Sequence, residues 1–263
     1  MAEHNNGRGQ GTLYVVGTGP GSLEHLTPKA STALRDAEII IGYRTYLDLI
    51  EDYLQDKEVV ASEMMKEIDR CRQSLELAES GRKVALVSGG DPGVYAMAGL
   101  IYEMARDMDC GCTIEVVPGI AAVNGCAAIL GAPLMHDFAA ISLSDLLTPW
   151  PLIEKRLEAA AMADFVTALY NPKSKKRTEQ IVTAAKIFLA HRDPATPVGI
   201  VTAATRNNER RVITTLADMA KAEIGMQSTV IIGNSQTYVW NNTMITPRGY
   251  SDKYQLTSAT GTE

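Results

Sequence analysis

Short hydrophobic runs alternate with longer amphipathic stretches along the first half of the chain. Short apolar runs rich in β-branched side chains predict buried strands, and apolar positions three or four residues apart predict helices. The predicted strands are residues 13–16, 39–41, 59–60, 84–88 and 113–117. The predicted helices are residues 27–36, 43–54, 64–79, 95–108 and 120–130.

The second half repeats this alternation after a linker-like stretch at residues 131–137. It predicts strands at residues 138–143, 165–170, 198–203 and 229–232, with a short antiparallel strand at 211–213, and helices at 149–163, 174–191 and 216–222. Strands separated by helices are typical of mainly parallel sheets covered on both faces. We therefore expect two α/β domains, residues 12–131 and 132–250, flanked by tails at 1–11 and 251–263.

Glycine and proline cluster directly after three predicted strands of the first domain. The clusters are residues 17–21, 89–93 and 118–119. In open α/β sheets, ligands bind beyond the carboxyl ends of the strands. The sequence therefore predicts that the three loops converge on a binding site at one edge of the first sheet.

The first of these loops partly matches a dinucleotide-binding fingerprint. Gly17 and Gly19 have the required spacing and acidic Glu38 follows at a suitable distance, but Ser22 replaces the third glycine. Pro20 also removes a backbone N–H that a pyrophosphate would need. A nicotinamide cofactor is therefore disfavoured, and a tight structural turn is the simpler alternative for this loop taken alone.

The second loop contains Asp91 within Gly-Gly-Asp-Pro-Gly at residues 89–93. Glycines there allow a ligand to approach bare backbone. Asp91 has two interpretations: an anion that faces a ligand, or a cap for the predicted helix that begins at Tyr95.

Composition excludes several classes of protein. The chain has 263 residues, 46% hydrophobic and 21% charged, with a formal net charge of −6. An acidic chain is a poor binder of nucleic acid, although a local basic cluster can still hold an anionic small molecule. We expect the polar first eleven residues not to act as a signal peptide, and the interrupted apolar run at 120–135 to be too short to span a bilayer. We expect a cytoplasmic protein without membrane or nucleic-acid partners.

The chain has four cysteines, Cys71, Cys110, Cys112 and Cys126, and no Cys-x-x-Cys pair. The spacing predicts no metal site. Cys110 and Cys112 are expected to be reduced structural or surface thiols.

Several motifs in matching order resemble the tetrapyrrole methylase family. They are residues 15–21 (Val-Val-Gly-Thr-Gly-Pro-Gly), 88–95 (Ser-Gly-Gly-Asp-Pro-Gly-Val-Tyr) and 116–122 (Val-Val-Pro-Gly-Ile-Ala-Ala), within a resemblance that covers residues 13–250. Residues 141–150 (Ile-Ser-Leu-Ser-Asp-Leu-Leu-Thr-Pro-Trp), 170–174 (Tyr-Asn-Pro-Lys-Ser) and 42–46 (Gly-Tyr-Arg-Thr-Tyr) resemble the branch that methylates precorrin-3B at C-17 and contracts its ring.

This resemblance implies two α/β domains with an active-site cleft between them, and a homodimer. It implies S-adenosylmethionine as methyl donor, S-adenosylhomocysteine as product, and a precorrin or its cobalt-bearing counterpart as substrate in cobalamin biosynthesis. Matched position by position, the implied cofactor contacts are Pro20, Gly89, Gly90, Asp91, Val94, Tyr95, Ala121, Ala122, Asn171 and Ala204. Relatives often have Ser or Thr where this chain has Ala121, so we expect a backbone or packing contact there.

A precorrin carries many carboxylates and needs cationic partners. The predicted substrate residues are Arg44, Ser142, Lys173, Lys176 and Arg206, and further basic candidates are Lys175, Arg177, Arg210 and Arg211. Any one of them taken alone is more often a solvated surface charge.

Ring contraction in this branch requires removal of a proton from a substrate hydroxyl. Asp145 is the first candidate for the base, and His136, next to Asp137, is the second. A helix cap near Pro149 is an equal alternative for the Asp145 region. Two other functions remain open: a methylase of the same pathway with a different target carbon, and a tetrapyrrole-binding protein without catalysis.

Overall fold

The computed structural model describes residues 11–63 and 65–255. Within them the chain divides between Gly125 and Cys126 into two compact units, called unit 1 and unit 2 below. Of the predicted tails, residues 1–10 and 256–263 lie outside the described residues.

Unit 1 contains one parallel sheet of five strands. The strands are β1 (Thr12–Gly17), β2 (Ile39–Tyr43), β3 (Glu58–Ser62), β4 (Lys83–Ser88) and β5 (Thr113–Val117). Their order across the sheet is β3-β2-β4-β1-β5, and every pairing is parallel. The prediction of a parallel sheet in the first half is confirmed.

Helices cover both faces of this sheet. They are α1 (Pro28–Asp36), α2 (Arg44–Leu47), α3 (Glu67–Glu79) and α4 (Ala98–Asp107), and a further helix, α5 (Ala122–Leu130), follows β5. Because side chains alternate along a strand, Leu13 and Val15 pack with α3 and α4 on one face, while Val16 packs with α1 on the other. The division between the units lies inside α5, whereas the sequence placed it after residue 131.

Two helices of unit 1 differ from their predicted extents by three residues or more for a reason that the backbone shows. The helix predicted at residues 43–54 ends at Leu47 and continues as a 3-10 turn, Asp48–Tyr53, in which Ile50 leaves helical geometry. Ile50 is nevertheless buried in the core, so packing overrides the helical pattern. The helix predicted from Tyr95 begins only at Ala98, because Tyr95 has a φ of 53°, which a right-handed helix excludes.

Unit 2 contains a second five-stranded sheet of mixed direction and a small three-stranded sheet. Its strands are β6 (Gly131–Ala132), β7 (Phe138–Ser142), β8 (Val166–Tyr170), β9 (Pro197–Thr202), β10 (Arg210–Thr215), β11 (Ser228–Ile232), β12 (Tyr238–Trp240) and β13 (Thr243–Ile245). Its helices are α6 (Trp150–Met162), α7 (Glu179–Leu189) and α8 (Tyr250–Lys253), the last of which was not predicted. Helices α6 and α7 pack against the larger sheet through Leu157 and Phe188.

The larger sheet of unit 2 has the order β10-β9-β11-β8-β7, and only β7 and β8 pair in parallel among its described strands. The expectation of a mainly parallel sheet is therefore wrong for this half. The physical reason is that β9 and β10 form an antiparallel hairpin, and that β11, which runs in the same direction as β10, lies between β8 and β9. Between β10 and β11, a 3-10 turn, Met219–Lys221, replaces the predicted helix. The predicted antiparallel strand at 211–213 is confirmed within β10.

Candidate functional site

The three glycine-rich loops of unit 1 converge as predicted. They follow β4, β1 and β5, which are neighbours in the sheet. The Gly19 N–H donates to the Gly90 carbonyl at 3.1 Å, and the Gly90 N–H donates to the Gly19 carbonyl at 2.7 Å. The first two loops are therefore joined directly through their backbones.

The junction of the loops has no room for side chains. A Cβ on Gly17 would lie 2.6 Å from the Gly90 carbonyl oxygen and 2.7 Å from the Gly119 nitrogen. A Cβ on Gly119 would meet the backbone of Gly90 and Gly17 in turn. Gly90 itself has a φ of 71°, which favours glycine.

The surface next to this junction is also bare backbone. A Cβ on Gly90 would lie 3.4 Å from the nitrogen of Ala122, the first residue of α5. A Cβ on Gly89 would lie 2.5 Å from the Tyr46 ring. The motif at residues 42–46 contains Tyr46, but nothing in the sequence alone distinguishes this ring as a site residue. A ligand at this edge would approach peptide groups and one aromatic ring.

Asp91 joins two of the loops. Its Oδ1 accepts the Gly93 N–H at 2.8 Å, and its Oδ2 accepts the Gly119 N–H at 3.1 Å. Helix α4 begins at Ala98 without a side-chain cap. The interpretation of Asp91 as a helix cap is therefore wrong: its carboxylate holds the loop after β4 to the loop after β5.

The other predicted cofactor residues of unit 1 lie in the same loops. Pro20 and Ala121 are buried, Val94 and Ala122 are half-buried, and Tyr95 is exposed. Ala121 precedes the first turn of α5, and its carbonyl accepts from within that helix.

A second group of predicted residues meets at one edge of the larger sheet in unit 2. Ser142 ends β7, and Asn171, with a φ of 49°, follows β8. The Asn171 side-chain amide donates to the Ser142 hydroxyl at 3.0 Å. Strands β8 and β9 are both antiparallel to β11 and so run in the same direction, which brings the buried Ala204 after β9 to this edge as well.

Arg177 is buried beneath this edge and is hydrogen-bonded to its backbone. It is only 8% exposed, and its guanidinium donates to the Asn171 carbonyl at 2.8 Å. Backbone and side-chain hydrogen bonds with Ser174 close the turn that contains it, which is why α7 begins at Glu179 instead of at residue 174. Arg177 was considered a substrate cation, but it is a buried positioning group.

The remaining basic candidates differ in their hydrogen-bonding partners and in their exposure to solvent. Arg210 forms a two-pronged ion pair with Glu223 at 2.7 and 2.9 Å, and Arg211 donates to the carbonyls of Ile129 and Asn242. These two arginines therefore have structural partners. The candidates Lys173 and Arg206 are half-buried at the unit 2 edge, whereas Lys175, Lys176 and Arg44 are exposed.

The two candidate bases lie at opposite ends of β7. Asp145 follows Ser142 and accepts a hydrogen bond from the Gln180 side chain at 3.0 Å. His136 precedes the strand, and its Nδ1 accepts the Asp137 N–H at 2.8 Å. Five residues rising about 3.3 Å each separate the strand ends by more than about 10 Å. Helix α6 has no side-chain cap, so the capping alternative for Asp145 is wrong.

Neither buried cysteine is suited to nucleophilic chemistry. Burial raises the pKa of Cys71 to about 12 and the pKa of Cys126 to about 11. Both stay protonated near neutral pH, whereas the thiolate is the reactive form.

A family model and the similar proteins of known name all indicate the same family of methyltransferases. The family model described as Tetrapyrrole (Corrin/Porphyrin) Methylases matches residues 12–220. The chain is 52% identical over 251 residues to the Cobalt-factor III methyltransferase of Priestia megaterium, covering 94% of this chain but only 46% of that protein. It is 48% identical over 239 residues to the Probable cobalt-factor III C(17)-methyltransferase of Salmonella typhimurium, covering 91% of this chain and 99% of that one.

Solved structures agree with this. The crystal structure of the methyltransferase CobJ has a TM-score of 0.85 and 36% identity, covering 90% of this chain and all of that one. A uroporphyrin-III C-methyl transferase from Thermus thermophilus, solved with S-adenosylhomocysteine, has a TM-score of 0.67 and 28% identity. The match covers 85% of this chain and 97% of that one.

Proposed function

The chain belongs to the tetrapyrrole methylase family, and we propose that it transfers a methyl group from S-adenosylmethionine to C-17 of cobalt-factor III, with ring contraction, in cobalamin biosynthesis. The observation that carries the proposal is the side-chain-free junction of Gly17, Gly90 and Gly119 in a chain of this family. The relatives at 52% and 48% identity are named for cobalt-factor III, which favours the cobalt-bearing substrate over precorrin-3B.

The residues at the edge of unit 1 fit S-adenosylmethionine. A Cβ at Gly90 would fill the cradle formed with Ala121 and Ala122. The donorless Pro20 and the missing fingerprint glycine do not matter for a cofactor without phosphates. When bound, the cofactor supplies an electrophilic methyl group on a sulfonium. The protein's part is to hold donor and acceptor in line and to exclude water, so no protein nucleophile is required.

Asp145 is the proposed base for ring contraction. It follows the same strand as Ser142, and its carboxylate is oriented by the Gln180 amide. In this role it accepts the proton of the substrate hydroxyl: the O–H electron pair forms the carbonyl, while a carbon–carbon bond of the same carbon migrates to the neighbouring carbon and contracts the ring. His136, beyond the other end of β7, is not assigned a role in this step.

Substrate carboxylates are assigned to Arg44, Lys173, Lys176 and Arg206, with Ser142 as a hydrogen-bonding partner. Arginine favours bidentate contact with carboxylates, whereas lysine acts as a compact charge. The half-buried Lys173 and Arg206 lie at the unit 2 edge, where water competes less strongly for them.

The test is transfer of an isotopically labelled methyl group from S-adenosylmethionine to cobalt-factor III by the purified chain. The proposal expects one label per macrocycle, located at C-17 by NMR, together with the change in absorption that accompanies ring contraction. A label at another carbon would assign a different methylase of the pathway. Binding of the macrocycle without transfer would instead indicate a non-catalytic carrier.

Calorimetry tests the cofactor separately. We expect binding of S-adenosylmethionine and S-adenosylhomocysteine but not of NAD. Equal or tighter binding of NAD would overturn the cofactor assignment.

Assembly and location are part of the same proposal. The family resemblance supports a cytoplasmic homodimer that acts without membrane or nucleic acid. Over residues 11–63 and 65–255, no helix has the length and apolar character needed to cross a membrane. Light scattering at micromolar concentration tests the dimer, and a monomeric mass would contradict it.

A further inference from the structure

Two thiols and a carboxylate meet in unit 1, in a group that we call the thiol cluster: Glu79, Cys110 and Cys112. The two sulfurs are 3.1 Å apart, and the Cys110 Sγ lies 2.9 Å from the Glu79 Oε2. The three ligand atoms all lie within 4.8 Å of one another. Both cysteines are half-buried, so the cluster is open to solvent.

The backbone on the cysteine side of the cluster is fixed. Helix α4 ends at Asp107, and Asp109, two residues later, lies in the left-handed region at a φ of 50°. The Cys110 N–H donates to the Ala105 carbonyl at 2.9 Å and the Asp109 N–H to the Arg106 carbonyl at 3.2 Å, which is the Schellman pattern of helix ends. Strand β5 begins at Thr113, directly after Cys112. Both cysteines therefore project from an anchored three-residue link.

Glu79 reaches this link from a different helix. It is the last residue of α3. Its Oε2 accepts the Gly111 N–H at 2.8 Å and the Cys112 N–H at 3.0 Å. These bonds hold the carboxylate beside the two sulfurs before any ion binds, which reduces the ordering needed for coordination.

We propose that Glu79, Cys110 and Cys112 bind one borderline-soft divalent cation of the zinc class, with a water as fourth ligand. Thiolate and carboxylate ligands in a tetrahedral set are typical of Zn²⁺, and Co²⁺ occupies such sites as a spectroscopic probe. Binding replaces two S–H bonds by two metal–sulfur bonds and releases the two protons to water.

The geometry requires only a small adjustment. Zinc–sulfur bonds of about 2.3 Å at tetrahedral angles place two sulfurs about 3.8 Å apart. The sulfurs therefore separate by less than about 1 Å, which side-chain rotation of half-buried cysteines allows.

This site is separate from the proposed cofactor edge. Cys112 lies before the amino end of β5 and Glu79 before the amino end of β4, whereas the glycine-rich loops follow the carboxyl ends of the same parallel strands. The sequence predicted no metal site because Cys-x-Cys lacks the usual spacing and because the third ligand comes from another helix. Ion binding would tie the ends of α3 and α4 to the start of β5 without touching the methyl-transfer residues.

The test uses the full chain, reduced and free of oxygen, titrated with Co²⁺. We expect one equivalent to bind and to give thiolate-to-cobalt charge-transfer absorption in the near ultraviolet. In Cys110→Ser and Cys112→Ser the absorption falls to about half, since one of two thiolates remains, and it vanishes in the double variant. Cys126→Ala, which removes a thiol outside the cluster, should behave like the parent protein.

Glu79→Gln distinguishes a three-ligand site from a pair of surface thiols. The amide oxygen can still accept the two backbone N–H groups, but it is a weaker ligand. Saturating absorption should persist while affinity falls, and Glu76→Gln on the same helix should leave affinity unchanged. Absence of charge-transfer absorption in the parent, its survival in the double cysteine variant, or equal affinity in Glu79→Gln would overturn the proposal.

A second measurement uses Zn²⁺ itself. Because an ion that binds only the folded state stabilises it, zinc should raise the melting temperature of the parent but not of the double cysteine variant. An equal shift in both would contradict the site. Methyl transfer should be the same in both proteins, so the outcome is independent of the proposed function.

Discussion

The two sheet edges that carry the predicted site residues are held together by different kinds of contact. The edge of unit 1 is backbone packed on backbone, where Gly17 and Gly119 lie too close to the Gly90 carbonyl for either to carry a Cβ. A carboxylate, Asp91, holds it by accepting two N–H groups. The edge of unit 2 is formed by side chains, and a guanidinium, Arg177, holds it by donating to the Asn171 carbonyl.

This difference determines what each edge tolerates. Overpacking breaks a backbone junction, because neither carbonyl nor amide can move without disturbing the sheet. A side-chain network tolerates changes of volume better, but it fails when one partner of a buried hydrogen bond is removed. The edge of unit 1 should therefore be most sensitive to added side-chain volume, and the edge of unit 2 to removal of a hydrogen-bonding group.

The largest effect is expected at Asp145 in unit 2. Asp145→Asn keeps the size of the side chain and a hydrogen bond to Gln180 but removes the basicity. Loss of a general base slows a step by about 10²–10⁴-fold. We expect ring contraction to slow by this factor while the methyl group is still transferred, and binding of S-adenosylmethionine should be unchanged. The measurement is single-turnover mass spectrometry with simultaneous absorption spectra of the macrocycle.

Its control is His136→Asn, which should contract the ring at the normal rate. Normal contraction in Asp145→Asn would remove Asp145 from the mechanism. Loss of methyl transfer together with contraction would show that Asp145 only positions the substrate.

The next effect concerns the buried guanidinium. Arg177→Met should lower the free energy of unfolding by about 1.5–3 kcal/mol, because a charged hydrogen bond to the Asn171 carbonyl is lost. The substitution should also lower the affinity for S-adenosylmethionine, since Asn171 is a predicted cofactor contact. Urea denaturation and calorimetry measure the two effects. Lys175→Met, an exposed change in the same turn, is the matched control. Equal stability of the two variants would contradict the role of Arg177.

The backbone junction is tested by the smallest possible addition. Gly119→Ala places a methyl group against the backbone of Gly90 and Gly17. Overpacking of this kind costs roughly 1–3 kcal/mol, and binding of S-adenosylmethionine should be lost. Gly99→Ala is the same substitution in open space within α4, and it should stabilise the protein by about 0.4–1 kcal/mol. Thermal unfolding and calorimetry compare them. Similar stability of both variants would show that the loops tolerate a side chain.

The same contrast explains what the sequence predicted. A site made of bare backbone appears in the sequence as glycines after strands, so the convergence of the loops at residues 17–21, 89–93 and 118–119 was predictable. Strand patterning also identified the parallel sheet of unit 1. These features are local, since each loop directly follows its own strand.

The features that the sequence did not predict depend on contacts between distant residues. Arg177 has the same local pattern as its exposed lysine neighbours, and only the fold shows that it is buried against Asn171. The direction of β11 between β8 and β9 is similarly invisible to hydrophobic periodicity, which is identical for parallel and antiparallel strands. The hairpin of β12 and β13 was missed, although Asn241 and Asn242, both at positive φ, form a turn that favours asparagine.

The smallest expected effect concerns the basic residues proposed to contact the substrate. Arg206 is half-buried on the loop after β9, whereas Arg44 is exposed at the start of α2. Solvent screens exposed ion pairs, so a partly covered charge contributes about 1 kcal/mol at most, or roughly a fivefold change in affinity. Arg206→Ala should therefore weaken macrocycle binding by about this factor, and Arg44→Ala should weaken it less. Absorbance titration of the macrocycle measures both, with S-adenosylhomocysteine affinity expected to stay constant. Arg210→Ala is the matched control, because that guanidinium is already paired with Glu223. If Arg206→Ala and Arg44→Ala bind the macrocycle as tightly as Arg210→Ala and the parent protein, Arg206 and Arg44 are ordinary surface charges. Recognition at the edge of unit 2 then depends on Lys173, Lys176 and Ser142.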